Sequence, residues 1–117
     1  MIVMKFGGTS LGDGEGINRV VDIVIQTLKD KGGVVVVSAM SGVTDTLLSA
    51  ATSAARGDAE TFRRARWALS DRHRLAMTEA ITREETRLQL MEEVEALLSD
   101  FESLCRSIHI LGELTAR

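Results

Sequence analysis

The chain opens on a short apolar run, Ile2-Val-Met-Lys-Phe6, interrupted only by Lys5 and too short for a helix. It predicts a buried strand. From about Gly14 to Lys31 the rhythm changes. Ile17, Val20, Val21, Val24 and Leu28 fall three and four apart, the spacing of one helical face. Asp13 and Glu15 near the start and Lys29 and Lys31 near the end suit the helix dipole. Gly32-Gly33 stand where a C-cap would stop the helix. Val34-Val-Val-Val-Ser38 follows, β-branched and apolar on both faces, as in a parallel sheet covered on both sides. Strand, helix and strand predict a βαβ unit with a right-handed crossover. The fold class is therefore α/β.

Three further helices follow from the same periodicity. About Asp45 to Arg56 carries a small-residue face of Leu47, Leu48, Ala51, Ala54 and Ala55, capped by Gly57. Asp58 is placed to start the next helix, which runs to about Ala80. Phe62, Ala65, Leu69, Ala76 and Met77 face inward on it, and many arginines face outward. A weaker stretch near Thr82 precedes the longest helix, 83–111. Here Leu90, Val94, Leu97, Phe101, Leu104, Ile108 and Leu111 alternate spacings of four and three. That is either an association seam through which the chain forms a homo-oligomer, or a stripe packed within a bundle. Leu98 and Cys105 widen the stripe and favour the bundle.

Composition narrows the function classes. The chain has 117 residues, 44% of them hydrophobic and 26% charged, with a formal net charge of -3. It is one domain at most. The mild acidity and the absence of a basic patch interleaved with aromatics argue against a nucleic-acid partner. No apolar run approaches membrane-spanning length, so no membrane role is expected. The single cysteine, Cys105, has no intramolecular partner and no metal-ligand spacing around it, which fits a buried role in a reducing cytoplasm. Proline is absent, and nine of the ten glycines occur by Gly57. Glycine loops thus punctuate the front of the chain (1–45), and charged helices make up the back (46–111).

The candidate chemistry lies in those loops. A strand bearing Lys5 breaks into Gly7-Gly-Thr-Ser10, whose bare backbone can lie against an anion. An ordinary strand ending in a turn competes with that reading. Gly7 and Gly12 have the first spacing of a Walker A loop, but Asp13-Gly14 occupy the place of its Lys-Ser or Lys-Thr. Lys5 needs either an anionic partner at the strand end or solvent on an edge strand. The second strand also ends in a hydroxyl-rich loop, Ser38-Ala-Met-Ser-Gly-Val-Thr-Asp45. Ligands of βαβ units bind beyond the carboxyl ends of the strands, so both loops are expected to open on one side. Ser38 and Thr44 supply hydrogen bonds to a polar ligand, or Thr44 and Asp45 cap the helix. His73 and His109 stand alone and read as packing or surface residues. Glu84, Glu85, Glu92, Glu93 and Glu95 read as a solvated face, and Glu113 stands apart, just after a glycine where a long helix ends.

Lys5-Phe-Gly-Gly-Thr-Ser10, Val37-Ser-Ala-Met-Ser-Gly-Val-Thr-Asp45 and Gly112-Glu113, in that order, resemble the amino-terminal part of the aspartate kinases of the amino acid kinase superfamily. The resemblance covers the whole chain. It implies transfer of a phosphoryl group from ATP to the β-carboxylate of L-aspartate, as in biosynthesis of lysine, threonine and methionine. It assigns Lys5, Gly7, Gly8 and Ser10 to the ATP phosphates, with Lys5 also catalytic. Ser38 and Thr44 fall to aspartate or the transferred phosphoryl group, and Glu113 to the substrate's amino group. ATP and Mg²⁺ are implied, although no residue can be named as a metal ligand. Residues 112–117 would begin the next motif. The family's adenine site and regulatory ACT domains have no counterpart in these residues. The expectation is an amino-terminal kinase piece, inactive alone and completed by the carboxy-terminal part in cis or in trans. The alternatives are a non-catalytic helical interaction module and a related amino acid kinase with another acceptor, such as glutamate or a uridine nucleotide.

Overall fold

The computed structural model describes residues 1–112. Strand β1 (Ile2–Phe6) leads through a glycine loop to helix α1 (Gly14–Leu28), then strand β2 (Gly33–Val37) and helices α2 (Val43–Ala55), α3 (Ala59–Ala80) and α4 (Glu84–Leu111). The two strands pair in parallel, Ile2 beside Gly33 through Phe6 beside Val37. This is the α/β order that the hydrophobic spacing predicts, with three helices after the βαβ unit. Among the described residues no helix is long and apolar enough to cross a membrane.

The core lies in the helices, away from the sheet. One buried cluster joins Ala50 and Ala54 of α2, Phe62 of α3 and Cys105 of α4. Alanines on α2 let the larger Phe62 fill the space between three helices, the size alternation that dense packing needs. A second cluster, Val43, Leu69 and Leu98, has Met40 and Leu47 packed against it. It carries the bundle core up to the loop after β2. Helix α1 docks on α3, where a Cβ at Gly14 would collide with Glu79 and Ala76. Asn18 Nδ2 also donates to the Glu79 carbonyl at 3.1 Å.

Several local expectations are corrected. The valines of β2 are exposed throughout, from 37% at Val35 to 57% at Val37, and in β1 only Ile2, Met4 and Phe6 are half-buried. A four-valine run is written for two covered faces. In these residues α2, α3 and α4 pack on one another instead of on the sheet. The radius of gyration, 16.8 Å, accordingly exceeds the roughly 13 Å of a compact domain near this size. Helix α1 ends at Lys29, with φ of 23°, ahead of Gly32-Gly33. Gly33 serves the sheet, because a Cβ there would stand 2.8 Å from the Ile2 carbonyl oxygen.

Helix α2 starts two residues early. Its N-cap is Gly42, at φ of 84°, with no side-chain cap, so Thr44 and Asp45 lie in its first turn and do not cap it. Leu48, expected inward, is exposed. Asp58 does cap α3, accepting from the Thr61 amide at 3.1 Å. On α4 part of the stripe packs within the bundle and part does not. Leu98 and Cys105 are buried, Val94, Phe101 and Ile108 pack against the core, and Leu97, Leu104 and Leu111 are exposed. The solvated face loses one member. Glu95 pairs with Arg66 of α3 at 3.0 Å and accepts from the Ser70 hydroxyl. Arg66 also reaches Glu102 at 3.0 Å and is largely covered, so it does not point outward.

Candidate phosphate-binding loops

Parallel pairing makes both strands end at the same side. The ladder continues past the strands, with the Ser38 amide donating to the Phe6 carbonyl at 3.2 Å. The loop after β1 and the loop after β2 therefore leave the sheet as neighbours. They touch: a Cβ on Gly8 would stand 3.3 Å from Ser41 Cα and 3.4 Å from the Ala39 carbonyl oxygen. The first loop then turns through a Leu11 amide to Gly8 carbonyl bond of 3.1 Å. It enters α1 at Asp13, whose carboxylate accepts from the Gly16 amide at 2.8 Å.

Each site residue predicted from sequence within residues 1–112 lies on β1, on one of these two loops or in the first turn of α2. Lys5 shares the exposed face of β1 with Val3, beside Val36 of β2, and the ion pairs among the described residues all lie within α3 and α4. The Lys5 side chain is thus open to solvent and to any ligand at this end of the sheet. Gly7 stands two residues on, and a Cβ there would meet nothing within 4 Å. Its φ is also outside the left-handed region. Nothing in the described fold requires glycine at this position, unlike Gly8. Ser10 is exposed, and its carbonyl lies where a Cβ on Gly16 would go, locking loop to helix. The Ser38 hydroxyl donates to the Ala39 carbonyl at 2.8 Å, and Thr44 is exposed at the start of α2. Gly112 caps α4 in the left-handed conformation, with its amide 2.7 Å from the Ile108 carbonyl. Glu113 lies outside the described residues.

The histidines behave as packing residues. His73 Nδ1 sits 2.7 Å from the Leu69 carbonyl, and the ring lines a cavity of about 300 Å³ behind Ser38, Ala39 and Met40. His109 meets Phe62 edge-on, with ring centroids 6.3 Å apart. A larger hollow of about 520 Å³ between α1 and β2 is lined by Leu11, Val20, Val24, Val35 and Val37, surfaces suited to apolar contacts and not to phosphate. No group of three or more His, Cys, Asp or Glu among the described residues is arranged to hold a metal ion.

One residue beside the loops escaped the sequence reading. Arg72 of α3 donates from Nη2 to the Gly12 carbonyl at 3.0 Å. Its signal was present. Arg72 falls three after Leu69 and four before Ala76, and Arg66 four after Phe62, so both sit on the stripe that the buried residues define.

Comparison with known proteins places this geometry. The model of the Amino acid kinase family matches residues 1–113. An aspartokinase of Chlamydia pneumoniae is 49% identical over 63 residues, covering 54% of this chain and 14% of that protein. A bifunctional aspartokinase/homoserine dehydrogenase of Zea mays is 31% identical over 113 residues, 97% of this chain and 12% of its own length. An aspartokinase of Helicobacter pylori is 53% identical over 49 residues, 41% of this chain and 12% of its own. The chain thus spans a small part of each relative. With a parallel βαβ unit, paired loops at its carboxyl edge and a family match along nearly all its length, the chain belongs to the amino acid kinase family.

Proposed function

We propose that the chain forms the phosphate-binding wall of an ATP:L-aspartate phosphotransferase. The observation that carries this is the junction of the two loops, with Gly7 bare where the fold does not require it and Lys5 exposed beside it. A glycine without a local structural reason points to something that approaches the backbone from outside, and phosphate oxygens do so next to a cation. In this reading Lys5 and the amides of Gly7 and Gly8, with the Ser10 hydroxyl, hold the ATP phosphates. Ser38, Thr44 and Glu113 orient aspartate.

The chemistry asks for little more. A β-carboxylate oxygen of aspartate bonds to the γ-phosphorus as the bond to ADP breaks, and charge spreads over the equatorial oxygens. The carboxylate is already deprotonated at neutral pH, so the reaction needs no general base, and neither loop carries a histidine. Lys5 and preorganised amides then lower the barrier electrostatically. Mg²⁺ supplies charge neutralisation for ATP. Among the described residues no acidic cluster is arranged to hold it. Adenine binding and completion of the site fall to the carboxy-terminal part of a kinase, in cis or in trans. The exposed valines of β2 leave a face for that part to cover.

The test is trapping of β-aspartyl phosphate with hydroxylamine. The chain alone should give none. Supplying the remaining kinase region should give hydroxamate with aspartate and not with glutamate, and release of ADP from ATP with aspartate and not with uridine monophosphate. Lys5→Ala should then lower turnover about 10²-fold or more. Full turnover in that variant overturns the role of Lys5, and product with another acceptor overturns aspartate. A second reading, association through α4, is favoured by the exposed Leu97, Leu104 and Leu111, seven residues apart on one face.

A further inference from the structure

We infer that Arg72 is a positioning residue that couples the two loops, so that they hold phosphate as one unit; this rests on the phosphate-site reading above. The side chain leaves α3 half-buried and reaches the exits of both loops at once. Its Nη2 donates to the carbonyl of Gly12, the last residue before the Asp13 cap of α1. Its Nη1 lies 3.5 Å from the point that a Cβ on Gly42 would occupy, and Gly42 is the left-handed residue that ends the second loop and caps α2. One guanidinium therefore sits between the residues through which each loop enters its helix.

Arginine suits this role because its planar fork offers several donors in fixed directions, whereas lysine is a point charge on a flexible stem. Among the described residues no carboxylate pairs with Arg72, and its positive charge adds to the potential at the base of the loops. Helix α3 is also a firm base, since Leu69 and Ala76, on either side of Arg72, are both buried. The contact at Gly8 and Ser41 joins the loops near the strands, and near the helices Arg72 bonds the end of the first loop and lies against Gly42 at the end of the second.

The experiment uses the full 117-residue chain with amide hydrogen exchange and inorganic tripolyphosphate as the probe. In Arg72→Met, exchange in residues 8–12 and 40–43 should rise together by about tenfold, the loss of one charge-assisted contact, with Leu69 and Leu98 unchanged. Arg72→Lys should restore protection in the first loop alone, because one ammonium can bond the Gly12 carbonyl without also reaching Gly42. Tripolyphosphate affinity should fall in both variants. No rise in either loop, a rise in one only in Arg72→Met, or full rescue of both by lysine overturns the coupling. Should Arg72→Met fail to fold, Arg72→Gln takes its place with the same expected exchange. If wild type and Lys5→Ala bind tripolyphosphate equally, the phosphate reading fails, and the exchange data still decide the role of Arg72.

Discussion

Gly8 and Ser41 meet backbone to backbone: a Cβ on Gly8 would lie 3.3 Å from Ser41 Cα. The two loops are packed together by the absence of one carbon. Gly7, one residue earlier, has open space where its Cβ would be. Adjacent glycines thus have different reasons to be glycine, one internal to the fold and one facing outward.

Alanine separates those reasons. Gly8→Ala should cost about 1–3 kcal/mol, because the neighbouring backbone must give way. Gly7→Ala should stay within about 0.5 kcal/mol of wild type, since nothing in the fold is touched. Urea unfolding of the two variants measures both. Binding of tripolyphosphate should nevertheless weaken in Gly7→Ala. Equal stability loss at both positions would contradict the packing argument.

Glu95 makes the α3–α4 contact sensitive to acid. Its carboxyl is held below its ordinary value of 4.5, first by the Ser70 hydroxyl and then by the Arg66 guanidinium, which outweigh the cost of partial burial. A depressed folded pKa means stability that is complete above the ordinary value and lost as pH falls through the folded one. Glu95→Gln should therefore melt below wild type near neutrality. The gap in Tm should close as pH is lowered from about 7 to about 3. A gap that stays constant across that range would show that the charge on Glu95 contributes nothing.

Neighbouring leucines on α4 should respond in opposite ways. Leu98 is 7% exposed and Leu97 is 68% exposed. Leu98→Ala should cost about 2–5 kcal/mol through loss of burial and a residual cavity. Leu97→Asp should change stability by no more than about 0.5 kcal/mol. The same aspartate would abolish any association through Leu97, Leu104 and Leu111. Sedimentation of the wild-type chain across a wide concentration range checks this, and a monomer at the highest concentration removes the association reading.

Much of the candidate site was legible because loop chemistry is local. Lys5, Gly7 and Gly8 stand in a strand-to-loop break that needs no tertiary information to notice, and β2 ends in a second hydroxyl-rich loop by the same local rule. Neither the Arg72 contact nor the Glu95 pair is legible in the sequence, for a common reason. Charged residues on an amphipathic helix are usually assigned to solvent, and only packing tells which of them cross to a neighbour. Arg66 and Arg72 sat on the buried stripe all along.

From the residues alone came the element order, the α/β class, the Asp58 cap and the inward positions of Phe62, Leu69 and Ala76, because hydrophobic period and capping are properties of adjacent residues. Burial of the strands did not follow from the same source. The valines of β2 specify a face that wants a cover, but whether a cover is present depends on where the helices pack, and here α2, α3 and α4 pack on one another. The tertiary structure alone also decided that Gly8 lies against Ser41 and that Arg72 reaches the loop across 60 residues of sequence. Contacts between distant segments depend on the relative placement of whole elements, which no local pattern encodes.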